Sequence, residues 1–261
     1  MTKTEPRRPR RGIYLLPNLF TTGCLFFGFY AIISAMNGKF EAAAVAIFIA
    51  MVFDGLDGRI ARMTNTATDF GVQYDSLADM VSFGVAPALV VFLWSIQEMG
   101  KLGWLVAFIY TAGAALRLAR FNTQVEVTDK RFFQGLPSPS AAALIAGTVW
   151  MGVDYNLSGP EFAPFALIAT LAGGLLMVSN FRYYSFKDAE LRDKVPFVGM
   201  LLIVMVFVFI SIDPPLVLFF IVVTYALAGP VVTMFMVRRH KKDRGKPDEP
   251  DSGSDVPEAK K

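Results

Sequence analysis

Long apolar runs, broken by brief polar connectors, set the pattern of this chain. Eight runs, at about 15–36, 41–62, 72–98, 103–121, 138–155, 162–181, 195–212 and 214–237, approach the roughly 20 apolar residues that a bilayer-spanning helix requires. Turn and polar residues separate them: Asn37-Gly38-Lys39, Gly100-Lys101, the segment 156–160, and Asp213-Pro214-Pro215. The last of these leaves room only for a tight turn. The pattern predicts an all-α fold, a polytopic membrane helical bundle of about eight transmembrane helices.

Composition agrees. Hydrophobic residues make up 54% of the 261 residues and charged ones only 18%, against about 25% charged in ordinary globular chains. Mean hydropathy is +0.47. The single cysteine, Cys24, lies inside an apolar run, so no internal disulfide can form, and it reads as a small packed hydrophobe. No internal repeat or second domain is visible. The expected organisation is a basic tail over 1–12, a membrane domain over 13–237, and a disordered tail over 238–261, basic and then acidic.

Charge placement orients the bundle. With the N-terminus inside and loops alternating, 23 of the 25 Lys and Arg residues fall on the inside, including Lys130 and Arg131, and only Lys39 and Lys101 fall outside. This asymmetry predicts an even number of spans with both termini in the cytoplasm. Arg7 to Arg11 precede the first run as in a signal peptide, but the run is too long for one and reads as an anchor. The basic start of the C-terminal tail would lie against anionic lipid headgroups. No nucleic-acid partner is expected.

Four aspartates interrupt the apolar pattern: Asp54 and Asp57 in the second run, Asp75 and Asp79 in the third. Left unpaired at mid-membrane they would cost on the order of 10 kcal/mol together. Their spacing gives the reason for keeping them. Asp54, Asp57, Gly58, Ala61 and Arg62 share one helical stripe, and Gly71, Asp75, Asp79 and Ser82 share another. The two runs are antiparallel neighbours joined by a short inner loop, so the stripes can face each other as a four-carboxylate cage. Clustered carboxylates repel, and a divalent cation is their natural neutraliser. All-oxygen ligation suits Mg²⁺ or Mn²⁺. Gly58, Ala61 and Gly71 leave room for a flat group such as a nucleotide, and Arg62 offers a planar donor fork for phosphate. An EF-hand is excluded, because Asp54-Gly55-Leu56-Asp57-Gly58 lacks its alternating ligands.

The string Asp54-x-x-Asp57-Gly58-x-x-Ala61-Arg62, eight residues, Gly71-x-x-x-Asp75-x-x-x-Asp79 resembles the signature of the CDP-alcohol phosphatidyltransferases at every position. The stretches 75–87, Pro17 to Thr21, Arg117 to Asn122 and Phe133 to Ser140 resemble the members of that family whose acceptor is serine. The resemblance spans about residues 13–235. It implies a six-helix core, with the final helix pair an addition, a homodimer, and a bacterial-type inner membrane with the active site on the cytoplasmic side. It implies transfer of a phosphatidyl group from CDP-diacylglycerol to L-serine. Asp54, Asp57 and Asp75 would hold two metal ions, with Asp79 contributing to one of them and acting as general base. Gly58, Ala61, Arg62, Thr68 and Gly71 would line the CDP-lipid site with Pro17, Asn18 and Thr21.

The residues agree with direct displacement. Two cations would neutralise the pyrophosphate, and a carboxylate would take the proton of the attacking hydroxyl. A phospho-histidine route is excluded, since the only histidine, His240, lies in the basic tail. A serine carboxylate needs a cationic partner, and Arg117 and Arg120 at the inner end of the fourth run are the candidates. A phosphorylated acceptor such as glycerol 3-phosphate or inositol phosphate is the nearest alternative and would need more cations near the cage. An ion-coupled transporter, the remaining alternative, would call for repeated halves and carboxylates reachable from both sides.

Overall fold

The computed structural model describes residues 15–64, 68–123, 132–184 and 197–243. The expectations for residues 1–12, for Lys130 and Arg131, and for 244–261 lie outside the described residues. The described elements are α1 (Leu15–Met36), α2 (Phe40–Thr64), α3 (Asp69–Asp79), a π-helical turn (Met80–Val85), α4 (Ala86–Trp94), a short 3-10 turn (Ile96–Met99), α5 (Lys101–Thr123), β1 (Phe132–Gln134), α6 (Ser138–Asp154), α7 (Gly159–Val178), β2 (Arg182–Tyr184), α8 (Phe197–Ile212) and α9 (Pro214–Asp243). Since α3, the π turn and α4 form one continuous rod, each of the eight expected spans has its helix.

Five of these are long and apolar enough to cross a membrane: α1, the Asp69–Trp94 rod, α5, α7 and the Pro214–Met234 part of α9. The protein is an integral membrane protein. The remaining helices are charged (α2) or short, α6 with 17 residues and α8 with 16. Two boundaries move. The third span starts at Asp69, because Thr68 caps α3 by accepting the Gly71 N–H at 3.0 Å. The last helix runs on to Asp243, so the expected disordered tail does not begin at 238. Among the described residues, the one addition to an all-α bundle is an antiparallel strand pair, Phe132 opposite Tyr184 and Gln134 opposite Arg182.

Small residues make the close packing. The α1–α2 hairpin turns through Gly38 at φ 72°, with Lys39 N–H donating to Ser34 O at 2.9 Å. Ala31 and Ala35 of α1 and Ala43, Ala44, Ala46 and Ala50 of α2 are buried along this hairpin. Small side chains let helix backbones approach where lipid supplies no hydrophobic drive. A central position falls to α6, which packs on α2, α4, α7 and α9 and is buried from Ala141 to Val149. By contrast α8 packs chiefly against α9, and its described side chains are largely exposed.

Immediately after Asp79, the π turn carries Ser82, Phe83 and Gly84, all buried. Such turns interrupt the regular α-helical ladder, and α5 and α1 supply contacts here. The Tyr110 hydroxyl donates to Phe83 O at 3.0 Å and that of Thr111 reaches Gly84 O at 3.5 Å. Ser82 donates to Cys24 O at 3.0 Å. Gly28 lets this contact form, because a Cβ there would lie 2.7 Å from Ser82 Cα. Ser82 therefore knits helices together and is not part of the carboxylate cage.

Candidate active site

The two acidic stripes do meet. One carboxylate oxygen each from Asp54, Asp57 and Asp75 lie within 4.8 Å of one another. Asp57 is buried, while Asp54 and Asp75 are half-buried. The Thr21 hydroxyl on α1 fixes Asp57 by donating to its Oδ2 at 2.8 Å, with Pro17 O 3.2 Å from the same hydroxyl. Three helices thus converge on one carboxylate cluster. Its donors are all oxygen and near enough to share one cation, so the residues fit a divalent metal of the Mg²⁺ or Mn²⁺ type.

Asp79 stands apart from this triad, one turn further along the same rod. Its Oδ1 is buried and has no hydrogen-bond partner. It remains close enough to Asp54, Asp75, Asp57 and Arg117 for their charges to interact. A buried carboxylate oxygen without a donor is costly, which marks it for a ligand, a cation or a transferable proton.

The expected nucleotide-binding residues lie towards the N-terminal ends of α1 and α3 and the C-terminal end of α2. A Cβ on Gly71 would meet Thr68 Oγ1 at 3.2 Å and Asn18 Oδ1 at 3.4 Å, so Asn18, Thr68 and Gly71 form one patch. At Gly58 a Cβ would meet nothing within 4 Å, and Gly58 is exposed beside buried Asp57. Ala61 is half-buried. Arg62 is exposed, and its Nε donates to Gly58 O at 2.9 Å, which leaves the terminal guanidinium nitrogens for other acceptors.

The two arginines of α5 part company. Arg117 faces the cluster: its charge interacts with Asp79 and Asp54, its Nη1 donates to buried Ser138 at 2.8 Å, and its Nε is buried without a partner. Arg120 instead donates to Asn180 Oδ1 at 3.4 Å. Sequence reasoning missed several groups beside the site. Tyr74 and Thr22 share a hydrogen bond of 3.0 Å that ties α3 to α1, and Asn122 donates to Ser76 Oγ at 3.0 Å, tying α5 to α3. Ser138 accepts from Arg117. Ser76, Asn122 and Ser138 fall within the stretches 75–87, Arg117 to Asn122 and Phe133 to Ser140 already singled out, without being named there as site residues.

Comparison with known proteins assigns the class. Residues 14–179 match the model of the CDP-alcohol phosphatidyltransferase family, and the chain belongs to that family. It is similar to the CDP-diacylglycerol–serine O-phosphatidyltransferase of Helicobacter pylori strain 26695, at 36% identity over 200 residues, covering 77% of this chain and 84% of the relative. The protein of that name from Methanocaldococcus jannaschii is 36% identical over 142 residues, covering 54% and 63%. That from Saccharomyces cerevisiae is 40% identical over 139 residues, covering 48% and 50%.

Proposed function

We propose that this enzyme transfers the phosphatidyl group of CDP-diacylglycerol to the hydroxyl of L-serine, giving phosphatidylserine and CMP. The observation that carries the reading is the three-carboxylate cluster beside two buried, unpartnered groups of opposite sign, Asp79 Oδ1 and Arg117 Nε. The similarity to serine O-phosphatidyltransferases from bacteria, an archaeon and yeast supports serine as the acceptor.

Each group has a role its surroundings favour. Asn18, Thr68, Gly71, Gly58, Ala61 and Arg62 bind the CDP moiety, with Pro17 and Thr21 supporting them from α1. Asp54, Asp57, Asp75 and Asp79 would hold two divalent ions, Mg²⁺ or Mn²⁺, which supply charge neutralisation on the pyrophosphate. Thr21 orients Asp57 so that its lone pairs face the cluster. Asp79 accepts the proton of the serine hydroxyl as that oxygen attacks the lipid-bearing phosphorus, and the bond from phosphorus to the CMP oxygen breaks. Arg117 takes the serine carboxylate in a planar two-point contact, with Arg120 in support. The 23-to-2 distribution of basic residues supports a site open to the cytoplasmic face of a bacterial-type inner membrane with both termini inside. Membership of the family supports a homodimer.

CMP release by purified protein in lipid, with CDP-diacylglycerol and Mg²⁺ or Mn²⁺, tests this reading against serine, glycerol 3-phosphate and inositol phosphate in turn. Release that requires serine and is lost in Asp79→Asn is the expected result. Release with a phosphorylated acceptor alone would overturn serine as the acceptor, and full activity of Asp79→Asn would remove Asp79 as the base.

A further inference from the structure

Asp75 is the member of the carboxylate triad that α3 carries, and burial does little to fix how that helix is turned. Of its 11 residues only Ala78 is buried. A helix whose rotation is not set by a buried face needs other restraints. Successive side chains leave a helix about 100° apart. Tyr74 and Ser76 therefore depart on either side of Asp75, and each is hydrogen-bonded to a different neighbouring helix.

On one side Tyr74 meets Thr22 of α1 at 3.0 Å. The Thr22 hydroxyl gives its only proton to Asn18 O, 2.7 Å away in its own helix, so the Tyr74 phenol is the donor and Thr22 Oγ1 the acceptor. The Phe70 ring, one turn earlier, lies near-parallel to that of Tyr74 with centroids 5.9 Å apart. On the other side Asn122 of α5 donates from Nδ2 to Ser76 Oγ at 3.0 Å. The nearer acceptor for the proton of Ser76 is Val72 O, 3.1 Å away in the same helix, with Asn122 Oδ1 at 3.4 Å. In both contacts a hydroxyl tied back to its own helix presents a lone pair to the partner. The residue before Thr22 is Thr21, which donates to Asp57 Oδ2 at 2.8 Å. Adjacent threonines of α1 thus hold the acidic stripes of both α2 and α3.

We infer that Tyr74 and Asn122 are positioning residues for Asp75. Their hydrogen bonds, to α1 and from α5, set the rotation of α3 so that the Asp75 carboxylate stays with those of Asp54 and Asp57, one oxygen of each within 4.8 Å of the others. The inference rests on the reading of these three aspartates as a divalent-metal site. Groups that orient metal ligands from outside the coordination sphere tune the affinity of the site, because ligands already in place bind without the cost of being ordered.

The test is Mn²⁺ binding by the purified full chain in lipid nanodiscs, without substrate, read from the electron paramagnetic resonance signal of free Mn²⁺. Melting curves of the metal-free protein are taken alongside. Tyr74→Phe keeps the ring and its stacking on Phe70 but loses the donor, and Thr22→Val removes the same contact from the other side. Each raises Kd for Mn²⁺ by about three- to tenfold, the scale of one hydrogen bond. The double variant is no weaker than the weaker single, since both delete one link. Asn122→Ala and Ser76→Ala form a second pair with the same expectation. A merely structural role lowers the melting temperature of the metal-free protein and leaves Kd for Mn²⁺ unchanged. An unchanged Kd in Tyr74→Phe or in Asn122→Ala, while Asp75→Asn abolishes binding, overturns the assignment of that residue and leaves the metal reading standing. Effects of Tyr74→Phe and Thr22→Val that add in full overturn the assignment of Tyr74 as well. Wild type that binds no Mn²⁺, or binds it equally well after Asp75→Asn, overturns the metal reading and this inference together.

Discussion

Replacing Gly58 with alanine separates binding from folding at this site. Gly58 sits in the α2 stripe next to Asp57, and a methyl placed there meets no atom within 4 Å. Alanine is favoured over glycine in a helix interior by about 1 kcal/mol, so Gly58→Ala is expected to fold as well as wild type or slightly better. If the nucleotide lies against this backbone, the same methyl intrudes on it. Overpacking of one methyl in a fitted contact costs about 1–3 kcal/mol, or roughly a 5- to 150-fold rise in KM for CDP-diacylglycerol. KM for serine should stay within about twofold. Gly28→Ala supplies the contrast, since its Cβ would lie 2.7 Å from Ser82 Cα at the α1–π turn contact. That variant should lose thermal stability and leave KM for CDP-diacylglycerol unchanged in the folded fraction. The assay is CMP release against CDP-diacylglycerol concentration, paired with a melting curve in the same detergent. A Gly58→Ala enzyme with wild-type KM would refute the placement of the nucleotide on this stripe.

Thr21→Val keeps the shape of the side chain and removes the donor to Asp57 Oδ2. A hydrogen bond to a charged group is worth about 1.5–3 kcal/mol, so half-saturation with Mn²⁺ or Mg²⁺ should shift by about tenfold or more, and an unshifted titration would show that Thr21 does not orient the cluster. Tyr110→Phe removes the hydroxyl that donates to Phe83 O in the π turn; a melting temperature lowered by a few degrees is expected, from about 0.5–1.5 kcal/mol for one lost hydrogen bond, and no change would mean that the turn is held by packing alone. Arg117→Lys retains the charge but loses the planar fork, and should raise KM for serine more than KM for CDP-diacylglycerol. Tyr155 lies in an exposed turn and donates to Asp213 Oδ2 at 2.5 Å, and that hydrogen bond holds its phenol above the ordinary tyrosine range. A phenol raised in the folded state keeps its proton, and the contact, through neutral pH and loses both as pH climbs past its folded value, so the difference between the absorbance titrations of wild type and Tyr155→Phe should be one tyrosine that ionises above the ordinary tyrosine range.

The span pattern and the meeting of Asp54, Asp57 and Asp75 were legible because both are written in local periodicity, while Asp79, expected in the same cage, stands apart from the three. A run of about 20 apolar residues has few outcomes in a membrane chain, and carboxylates four apart on a helix must share a face. The α1 contribution was legible only through the family resemblance, since nothing local to Pro17, Asn18 or Thr21 announces that Thr21 will meet Asp57, 36 residues away. Arg117 and Arg120 look equivalent in sequence. The structure separates them because Ser138, at the start of α6, claims the first and Asn180, after α7, the second. The β1–β2 pair was illegible because three-residue strands carry no alternation long enough to read.

The π turn explains how one rod serves two unlike surfaces. Up to Asp79 the rod presents carboxylates to α1 and α2, and from Ala86 onward it presents Ala86, Pro87, Ala88, Val90 and Val91 to the buried core. In a regular helix the phase of the second half follows from the first at about 100° per residue. One extra residue taken up in the wider turn offsets that phase by about the same angle, so the acidic stripe and the core stripe can each meet their own partners. Tyr110 and Thr111 of α5 and Gly28 of α1 all touch this turn, and the same α5 carries Arg117 two turns further on. The carboxylate proposed as the base and the arginine proposed as the acceptor's partner are thus set against each other through a single buried joint. A change at that joint should disturb kcat before it disturbs the binding of either substrate.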